Sequence, residues 1–367
     1  MNQMNILHLE ASPGWGGQEM RIVKEAVGLR SRGHQLFFGI QKKGKLIHEL
    51  RKRNFFVYEI NFKKSLWFYD FFKLIWIIAR KNIDVINTHS SLDSWIGGIV
   101  GRFIGKPIIR TRHLSTKIRK GWNSRLLYNG LADYVVTTCK KIVPVISGQS
   151  GLSLVHCQSI PTGIDISSIK ISNDSSLAFR KKYHISSDDF LIGMVCFMRS
   201  WKGIEAFLQA AKLMENDAMV KFILIGGGHE KTYREKAKKL ELKNIVFTGH
   251  LEDPLPGIAA LDVFALLSTA HEGVSQAALQ AAFLQKPLIT TITGGLPEIC
   301  IDGKTGIQVP LFSAASVVKA IAVLKANPIL KKKMGEKARK LILEKFTLQK
   351  MLDNMENIYQ RAKDFSK

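Results

Sequence analysis

The sequence predicts an α/β protein made of two doubly wound domains. Short apolar runs alternate with segments of helical period along most of the chain, which favours parallel sheets covered by helices on both faces. The alternation stops once, at the polar segment IDISSIKISNDSS, and then restarts. A chain of 367 residues is long enough for two ordinary domains. We therefore expect two domains joined near residues 163–175.

In the first domain, the strand-like runs end in polar or glycine-containing loops. In chain order these runs are MNILHLE, QLFFGI, FFVYEINF, DVINTHS, KPIIRTRH, ADYVVTTC and SLVHCQSIPTG. The helical segments between them are MRIVKEAVGLRSRGH, KLIHELRKR, DFFKLIWIIARKN and SLDSWIGGIVGRFIG.

The second domain repeats this alternation. Its strand-like runs are FLIGMVCFM, VKFILIGGG, IVFTGH, VFALLS and PLITTIT, and its helical segments are GIEAFLQAAKLM, YREKAKKLEL and VSQAALQAAFLQ. From Ala314 onward the chain is helical in period and strongly basic.

The composition excludes several classes of protein. With 46% hydrophobic and 23% charged residues, the chain is globular rather than disordered. Four scattered cysteines form no CxxC pair, which predicts reduced thiols in a cytoplasmic protein and no zinc site. The amino end lacks a basic segment followed by a long apolar run, so we expect no signal peptide. No uncharged apolar stretch of about 18 residues occurs, so we expect no membrane span.

The net charge of +24 is concentrated in the first part of the chain. Residues 1–160 hold 25 Lys or Arg against 9 Asp or Glu, a net charge of +16. Such a field favours an acidic partner, which means a nucleic acid, an anionic membrane surface or a phosphorylated substrate. The sequence has no helix-turn-helix, zinc-finger, RRM or KH signal, so we expect no specific nucleic-acid binding.

Three glycine loops follow strand-like runs. They contain Gly14, Gly16 and Gly17, then Gly226 to Gly228, then Gly294 and Gly295. In open α/β sheets ligands bind at the carboxyl ends of the strands, and glycines there let backbone amides approach an anion. Each loop alone fits a tight turn about equally well. The first is not GxGxxG, so the dinucleotide fingerprint is absent.

Charged groups also follow strands of the second domain. Arg199 and Lys202 in RSWKG are two cations that could clamp a diphosphate, although most Lys and Arg side chains are solvated surface charges. Glu272 follows VFALLS, and Gly273, Val274 and Ser275 offer free amides at a helix start. A carboxylate there could bind sugar hydroxyls while the amides hold phosphate, or it could simply favour the helix electrostatically.

The segment HEGVSQAALQAAFLQKPLITTITGGLPEICIDGKTGIQV resembles the carboxyl-terminal signature of family 4 glycosyltransferases, which have the GT-B fold. RSWKG, FILIGGG, IVFTGH and LDVFALLS resemble further landmarks of that family in order, and GGQE, IDVINTH and IIRTRH resemble its amino-terminal loops. The resemblance spans nearly the whole chain, and its carboxyl-terminal part is the more specific.

The resemblance implies two Rossmann-like domains facing across a cleft. Residues 1–165 would bind the acceptor and residues 166–345 the nucleotide-sugar donor, with a helix at 346–367 packing toward the first domain. The reaction would be a retaining sugar transfer without a metal or other cofactor, since no DxD carboxylate pair occurs.

Site residues follow from the same resemblance. Arg199 and Lys202 would neutralise the leaving diphosphate, Glu272 would hold sugar hydroxyls, and His113 would approach the reacting centre. Glu19 and His89 would contact the acceptor. The donor would be held by Gly16, Gly17, Gly226, Gly273, Val274, Ser275 and Gln280.

Gln280 departs from the family pattern, which has a second Glu at this position. A glutamine keeps one acceptor oxygen and replaces the other by an NH2 donor. The hydrogen bonds to the donor ribose would then be weaker by about 1–2 kcal/mol. Looser binding, another nucleotide or an inactive transferase are the alternatives, and the retained Arg199, Lys202 and Glu272 favour an active enzyme.

Two stretches rich in basic and aromatic residues, Phe62–Lys81 and Ser115–Arg125, bear on where the acceptor is located. Such stretches dock on anionic bilayers, although part of the first must also pack in the core. We expect an anionic lipid or a lipid-linked saccharide as acceptor, in lipopolysaccharide synthesis on the inner face of the cytoplasmic membrane. A noncatalytic membrane-associated protein and a nucleotide-sugar epimerase are the alternatives.

Overall fold

The computed structural model describes residues 3–365, and within them the chain forms two compact α/β units. The first unit contains the described residues up to Gly163 and those from Leu348 onward, and the second contains Ile164–Thr347. The prediction of two doubly wound domains is confirmed. The sequence had placed the limits at 165/166 and 345/346, a few residues from those observed.

The first unit contains a sheet of seven parallel strands within the described residues. These are β1 (Asn5–Glu10), β2 (Gln35–Gln41), β3 (Phe56–Ile60), β4 (Val85–Thr88), β5 (Ile108–Arg112), β6 (Tyr134–Thr137) and β7 (Cys157–Ser159). Their order is β3-β2-β1-β4-β5-β6-β7. The order reverses between β1 and β4, so the switch point at which such sheets bind ligands lies at the carboxyl ends of these two strands.

The second unit contains a six-stranded parallel sheet within the same described range. Its strands are β8 (Phe190–Val195), β9 (Val220–Ile225), β10 (Ile245–Gly249), β11 (Val263–Leu266), β12 (Leu288–Thr291) and β13 (Gly306–Val309). The order β10-β9-β8-β11-β12-β13 places its switch point between β8 and β11.

The helices cover both sheets. In chain order they are α1 (Gly17–Ser31), α2 (Lys45–Arg51), α3 (Trp67–Arg80), α4 (Ser91–Phe103), α5 (Trp122–Arg125), α6 (Val143–Ser150), α7 (Asn173–Lys182), α8 (Ile204–Leu213), α9 (Glu230–Lys239), α10 (Leu255–Ala260), α11 (Gln276–Phe283), α12 (Ala314–Ala326), α13 (Pro328–Lys345) and α14 (Leu348–Phe365). A π-helical turn, Leu126–Gly130, continues α5.

Successive side chains of β1 point to opposite faces of the sheet, so the core of the first unit has two layers. Ile6 belongs to an apolar cluster that also contains residues of α1, α2 and α14. Leu7 and Leu9, on the opposite face, pack with Leu74 of α3 and Val100 of α4. Helix α14 thus completes the core of the first unit, although it follows the second unit in the chain.

The periodicity did not predict several short helices. Helices α5, α6 and α10 have only four to eight residues each, too few to show a helical period. Helix α7 begins at Asn173, inside the segment interpreted as a polar interruption, where the Ser172 side chain accepts a hydrogen bond from the Ser175 amide. The end of this polar segment is therefore the start of a helix, capped by Ser172, and not part of a linker.

Among the described residues, no helix combines the length and the apolar character needed to cross a bilayer.

Candidate functional site

The predicted groups of the second unit lie at one edge of its sheet. Arg199 and Lys202 follow β8, and Glu272 follows β11, so these groups flank the switch point. Gly294 and Gly295 follow β12, and Gly226 follows β9. The four strands are consecutive neighbours, and because they are parallel, all four loops leave the sheet at the same edge.

Lys202 and Glu272 form a partly buried ion pair at this edge. Lys202 Nζ lies 2.7 Å from Glu272 Oε2. The Ser268 hydroxyl donates a second hydrogen bond of 2.5 Å to the same oxygen. Glu272 is only 6% exposed, so its charge is held in place by two donors rather than by solvent. Within the described residues no hydrogen bond to Glu272 Oε1 is formed, and this oxygen can accept bonds from a ligand.

Backbone contacts join the loops that carry these groups. The amide of Thr269 donates to the Trp201 carbonyl at 2.7 Å, and the amide of Gly295 donates to the Glu272 carbonyl at 3.2 Å. At Gly203, a Cβ atom would lie 1.9 Å from the Leu267 carbonyl oxygen, and φ is +72°. Only glycine lets the loop after β8 approach β11 this closely.

Arg199 is exposed and lies between two aromatic rings. Its guanidinium carbon is 5.1 Å from the ring centroids of both Phe197 and Trp201. These cation–π contacts hold the side chain without neutralising its charge. The residue borders a surface pocket of about 500 Å³ that is lined also by His229 and Tyr233. Arg199 forms no ion pair within the described part of the chain, so its charge is available to an anion.

Gly226 has a structural reason to be glycine. Its φ is +136°, and a Cβ atom would lie 2.0 Å from the Cys196 carbonyl oxygen. Gly228 packs in the same way, with a Cβ atom 2.6 Å from the Met198 carbonyl oxygen. These glycines bring the loop after β9 against the loop that carries Arg199. Their lack of side chains is therefore accounted for by packing.

The predicted helix start after Glu272 is present. Ser275 is the N-cap of α11, and its side chain accepts a hydrogen bond from the Ala278 amide. Gly273 and Val274 lie between Glu272 and this cap, so their backbone directly precedes the helix. Gln280 lies in the middle of α11 and is half-buried. Its side chain makes no hydrogen bond within the described residues, which leaves its amide free to donate and to accept.

In the first unit, the two predicted histidines belong to a row of three. His89 Nδ1 lies 3.0 Å from His113 Nε2, and His89 Nε2 lies 2.9 Å from Nδ1 of His8. His89 is 5% exposed and has both ring nitrogens engaged, so it lies one layer behind the half-buried His113. Burial lowers the pKa of His8 to about 3 and that of His89 and His113 well below 6.5, so the three rings are neutral at pH 7.

The glycine loop of the first unit leads directly into α1. Gly16 is the N-cap and Gly17 the first residue of the helix, and a Cβ atom on Gly17 would meet nothing within 4 Å. Glu19 lies inside the first turn of α1, rather than before the helix as the sequence suggested. It is 4% exposed, so little of its side chain is open to an acceptor.

A second carboxyl group, Glu10, ends β1 beneath this loop. It is fully buried, accepts a hydrogen bond of 2.7 Å from the Ser12 amide, and is bonded to the Gln18 side chain. Burial, with the nearby Asp93 carboxylate, raises the pKa of Glu10 to about 8. Glu10 is therefore largely protonated at pH 7, which is unusual for a carboxyl group.

Sequence reasoning missed His8, Ser268 and Glu10. The signal for His8 and Glu10 was a polar residue inside or at the end of an apolar strand, MNILHLE. Ser268 ends FALLS, and its proximity to Glu272 arises from the turn between them. Among the described residues, no group of three or more His, Cys, Asp or Glu is arranged to hold a metal ion.

Two family models match the chain, one after the other. The model described as "Glycosyltransferase Family 4" matches residues 15–168, and the model described as "Glycosyl transferases group 1" matches residues 175–341. Together they cover most of both units.

Several curated relatives match about four-fifths of the chain. The capsular polysaccharide biosynthesis glycosyltransferase CapM of Staphylococcus aureus is 24% identical over 304 residues, which are 78% of this chain and 79% of CapM. The N-acetyl-alpha-D-glucosaminyl L-malate synthase of Bacillus anthracis is 24% identical over 298 residues, which are 78% of this chain and 77% of that protein.

Solved structures match the fold over nearly the full length. A glycosyltransferase from Rickettsia africae has a TM-score of 0.88 at 20% identity and covers 99% of both chains. HepE from Anabaena, solved in complex with UDP and glucose, has a TM-score of 0.83 at 20% identity, covering 98% of this chain and 100% of HepE. The predicted GT-B architecture of two Rossmann-like domains is confirmed by these matches.

Proposed function

This chain belongs to glycosyltransferase family 4, and we propose on that premise that it transfers a sugar from a nucleoside-diphosphate donor bound to its second unit. The observation that carries the proposal is the cluster of Lys202, Glu272 and Ser268 at the β8/β11 switch point, with the unpaired charge of Arg199 nearby. Two cations and one carboxylate suit a ligand with a diphosphate at one end and hydroxyl groups at the other.

The chemistry assigned to each group follows from its contacts. Arg199 and Lys202 take up negative charge as the diphosphate leaves, which stabilises the oxocarbenium-like transition state. The first turn of α11 adds amides and the positive end of a helix dipole. Glu272 Oε1 accepts bonds from sugar hydroxyls while Lys202 and Ser268 hold Oε2. A carboxylate fixed in this way loses little freedom when a sugar binds.

The finer assignments are part of the same proposal. The transfer proceeds with retention and without a metal, because two fixed cations do the work that a divalent ion does elsewhere. HepE was solved with UDP and glucose, which supports a UDP-sugar as the first donor to test. CapM acts in capsular polysaccharide biosynthesis, which supports a cell-envelope saccharide as product.

We propose an anionic lipid bilayer as the surface on which the enzyme meets its acceptor. Helix α3 buries Leu74, Ile77 and Ile78 in the core, yet its other side carries an exposed aromatic stripe. Phe68, Phe72 and Trp76 are 78%, 54% and 55% exposed. They follow a spacing of four residues, which aligns them on one side of the helix.

Positive charge surrounds this stripe. Lys63 and Lys64 are exposed just before α3, and Arg80 is exposed at its end. Lys73 and Tyr69 join the aromatic side chains around a surface pocket of about 460 Å³. Aromatic side chains beside lysines are the composition that binds anionic lipid interfaces. A lipid-linked saccharide presented at the cytoplasmic face of the membrane is therefore the proposed acceptor class.

A donor screen tests the enzymatic function. Thermal unfolding is measured with UDP-, GDP-, ADP- and CMP-sugars, because a ligand that binds the folded state raises the unfolding temperature. The donor that stabilises the protein is then assayed for release of its nucleotide in the presence of a magnesium chelator. Stabilisation and turnover support a metal-independent transferase. The absence of both with every donor would favour a noncatalytic protein.

A further inference from the structure

A row of three histidines runs from the interior of the first unit to the residue assigned to the reaction. His8 lies within β1, His89 follows β4 and His113 follows β5, and these strands are adjacent in the sheet. The rings of His8 and His89 are nearly parallel, at an angle of 6°, with centroids 5.2 Å apart, and those of His89 and His113 are 5.3 Å apart at 34°. Two ring-to-ring hydrogen bonds of 2.9 and 3.0 Å join them.

The protonation of such a row is coupled. A neutral imidazole has one N–H donor and one bare nitrogen, so each ring that accepts at one nitrogen donates at the other. If His8 Nδ1 donates, His89 donates in turn from Nδ1, and His113 carries its proton on Nδ1. If the direction is reversed, His113 donates from Nε2 and His8 is left with a proton on Nε2.

The environment of His8 selects between these two directions. His8 Nε2 is buried and has no hydrogen-bond partner within the described residues. The ring stacks on Phe38 at 5.3 Å and meets the edge of the Tyr359 ring at 6.4 Å. An N–H at this nitrogen would be a buried donor without an acceptor, and such donors are rarer in folded proteins than acceptors that lack a donor. His8 therefore carries its proton on Nδ1.

We propose that His8 and His89 are positioning residues that fix the proton of His113 on Nδ1, so that His113 acts on the substrates as a hydrogen-bond donor. His113 Nε2 is occupied by the bond from His89, which leaves Nδ1–H as the polar group that His113 offers to a ligand. The consequence for catalysis rests on the proposed transfer function. The assignment of the proton to Nδ1 of His113 is independent of that function.

Burial keeps the row neutral by lowering the pKa of each ring, and the charge of Arg21 adds to this for His89 and His113. Arg21 of α1 is fully buried, and its positive charge opposes protonation of His89 and His113. Glu25 of α1 lies 3.8 Å from Arg21 and accepts a hydrogen bond from Tyr359 of α14, and Asp93 of α4 accepts from the backbone amide of His89. Near pH 7 none of the three rings becomes a cation, so the chain of bonds is not interrupted by a ring with two N–H groups.

Nitrogen NMR of protein labelled with 15N-histidine tests the proposal directly, because a protonated ring nitrogen resonates far upfield of a bare one. In the wild type at pH 7 we expect His113 to show a protonated Nδ1 and a bare Nε2. A proton on Nε2 of His113 would overturn the proposal without any variant.

Variants of His8 test its part in the row. His8→Leu removes the first donor, so the His113 Nδ1 signal should move toward that of a bare nitrogen. His8→Asn places an amide near the position of Nδ1 and should restore the wild-type spectrum. His34→Leu is the matched control, because His34 is another buried, hydrogen-bonded histidine of the first unit that lies outside the row. An unchanged His113 spectrum in folded His8→Leu would overturn the role of His8.

Kinetics separate this inference from the proposed function. His8→Leu should lower kcat about tenfold with an unchanged KM for the donor, which binds the other unit, and His8→Asn should recover the rate. An unchanged kcat in His8→Leu would overturn the link to catalysis. A wild-type protein that transfers no sugar would refute the proposed function and leave the NMR result standing.

Discussion

At the residue scale, the position of Glu272 makes a strong prediction about activity. Glu272→Ala removes the group proposed to hold the donor sugar, and we expect transfer to fall by at least about 100-fold. The fold should survive, because Lys202, left without its partner, still reaches solvent with 17% of its side chain exposed. Initial rates and thermal unfolding measure both effects.

The control for this variant is another Lys–Glu pair of the same unit. Glu215 lies 2.7 Å from Lys212 on the surface, the same separation as in the Lys202–Glu272 pair. Glu215→Ala should leave the transfer rate unchanged. Wild-type turnover by Glu272→Ala would remove the central catalytic assignment.

A substitution of Gln280, unlike that of Glu272, is expected to preserve or improve function. Gln280→Glu restores the acidic residue of the family pattern on α11, and its charge strengthens hydrogen bonds from ribose hydroxyls by about 1–2 kcal/mol. Donor affinity should be unchanged or should rise by up to roughly 30-fold, as measured by titration calorimetry. Gln209→Glu, on the exposed face of α8, controls for the added charge. A large loss of turnover with Gln280→Glu would mean that the position has another role.

The buried carboxyl group of Glu10 predicts how stability depends on pH. Its pKa is about 8 in the folded protein and ordinary in the unfolded chain, so the folded state holds the proton more tightly. The stability contributed by Glu10 is complete below about pH 4.5 and is lost as the pH rises through 8. Glu10→Gln mimics the protonated form. As the pH rises from 6.5 to 8.5, its free energy of unfolding should fall by about 2 kcal/mol less than that of the wild type. Parallel pH dependences in urea unfolding would contradict the raised pKa.

At the scale of the element, α3 predicts membrane binding. Phe68→Ala, Phe72→Ala and Trp76→Ala together remove exposed rings, each of which contributes about 1.5–3 kcal/mol when it is buried in a bilayer interface. The triple variant should lose at least about 100-fold in affinity for anionic vesicles, measured by flotation at low salt, while its unfolding temperature stays unchanged.

Ile329→Ala is the control for this variant, because Ile329 is 81% exposed on α13 of the other unit. It should float like the wild type. If the wild type does not float with anionic vesicles at low salt, the proposed membrane surface is wrong, and the acceptor must then be a soluble acidic molecule.

Elements with a long apolar period could be predicted from the sequence, and short capped ones could not. The apolar positions of α3 predicted a helix, yet the same positions could not tell which rings face the core, because Phe and Trp occur on both sides. Helix α7 is signalled only by the cap of Ser172, a local hydrogen bond that periodicity does not contain. Within β1, the position of His8 in a row could not be predicted, because the row depends on the order of strands in the sheet.

At the scale of the whole molecule, the candidate site of the second unit was predictable because it is assembled from strand ends. Arg199, Lys202 and Glu272 come from loops that any parallel sheet brings to one edge. What could not be predicted is which of them pair. The Lys202–Glu272 contact requires β8 and β11 to be neighbours, and this follows from the crossover at the switch point rather than from any local pattern. Gly203 could be interpreted only once its distance to Leu267 was known.

The path of the chain makes the first unit depend on its last helix. Tyr359 of α14 is fully buried, and its hydroxyl donates to Glu25 at 2.7 Å and accepts from Asn87 at 2.6 Å. Tyr359→Phe leaves two buried polar groups without this partner, so we expect the free energy of unfolding of the first unit to fall by about 2–4 kcal/mol. Urea unfolding followed by circular dichroism measures the change.

Two further substitutions decide whether α14 acts through this hydrogen bond or through packing. Tyr69→Phe removes the same atom from an exposed tyrosine of the same unit and should change nothing measurable. Gly28→Ala leaves the hydroxyl intact but places a methyl group 2.4 Å from Leu352 Cδ1, so the buried Leu352 side chain must shift, which should lower the free energy of unfolding by about 1–3 kcal/mol. Loss of stability in both Tyr359→Phe and Gly28→Ala is expected, since the helix contributes a buried polar contact and a close apolar one. Unchanged stability in both would mean that neither this hydrogen bond nor this close contact contributes measurably to the stability of the unit.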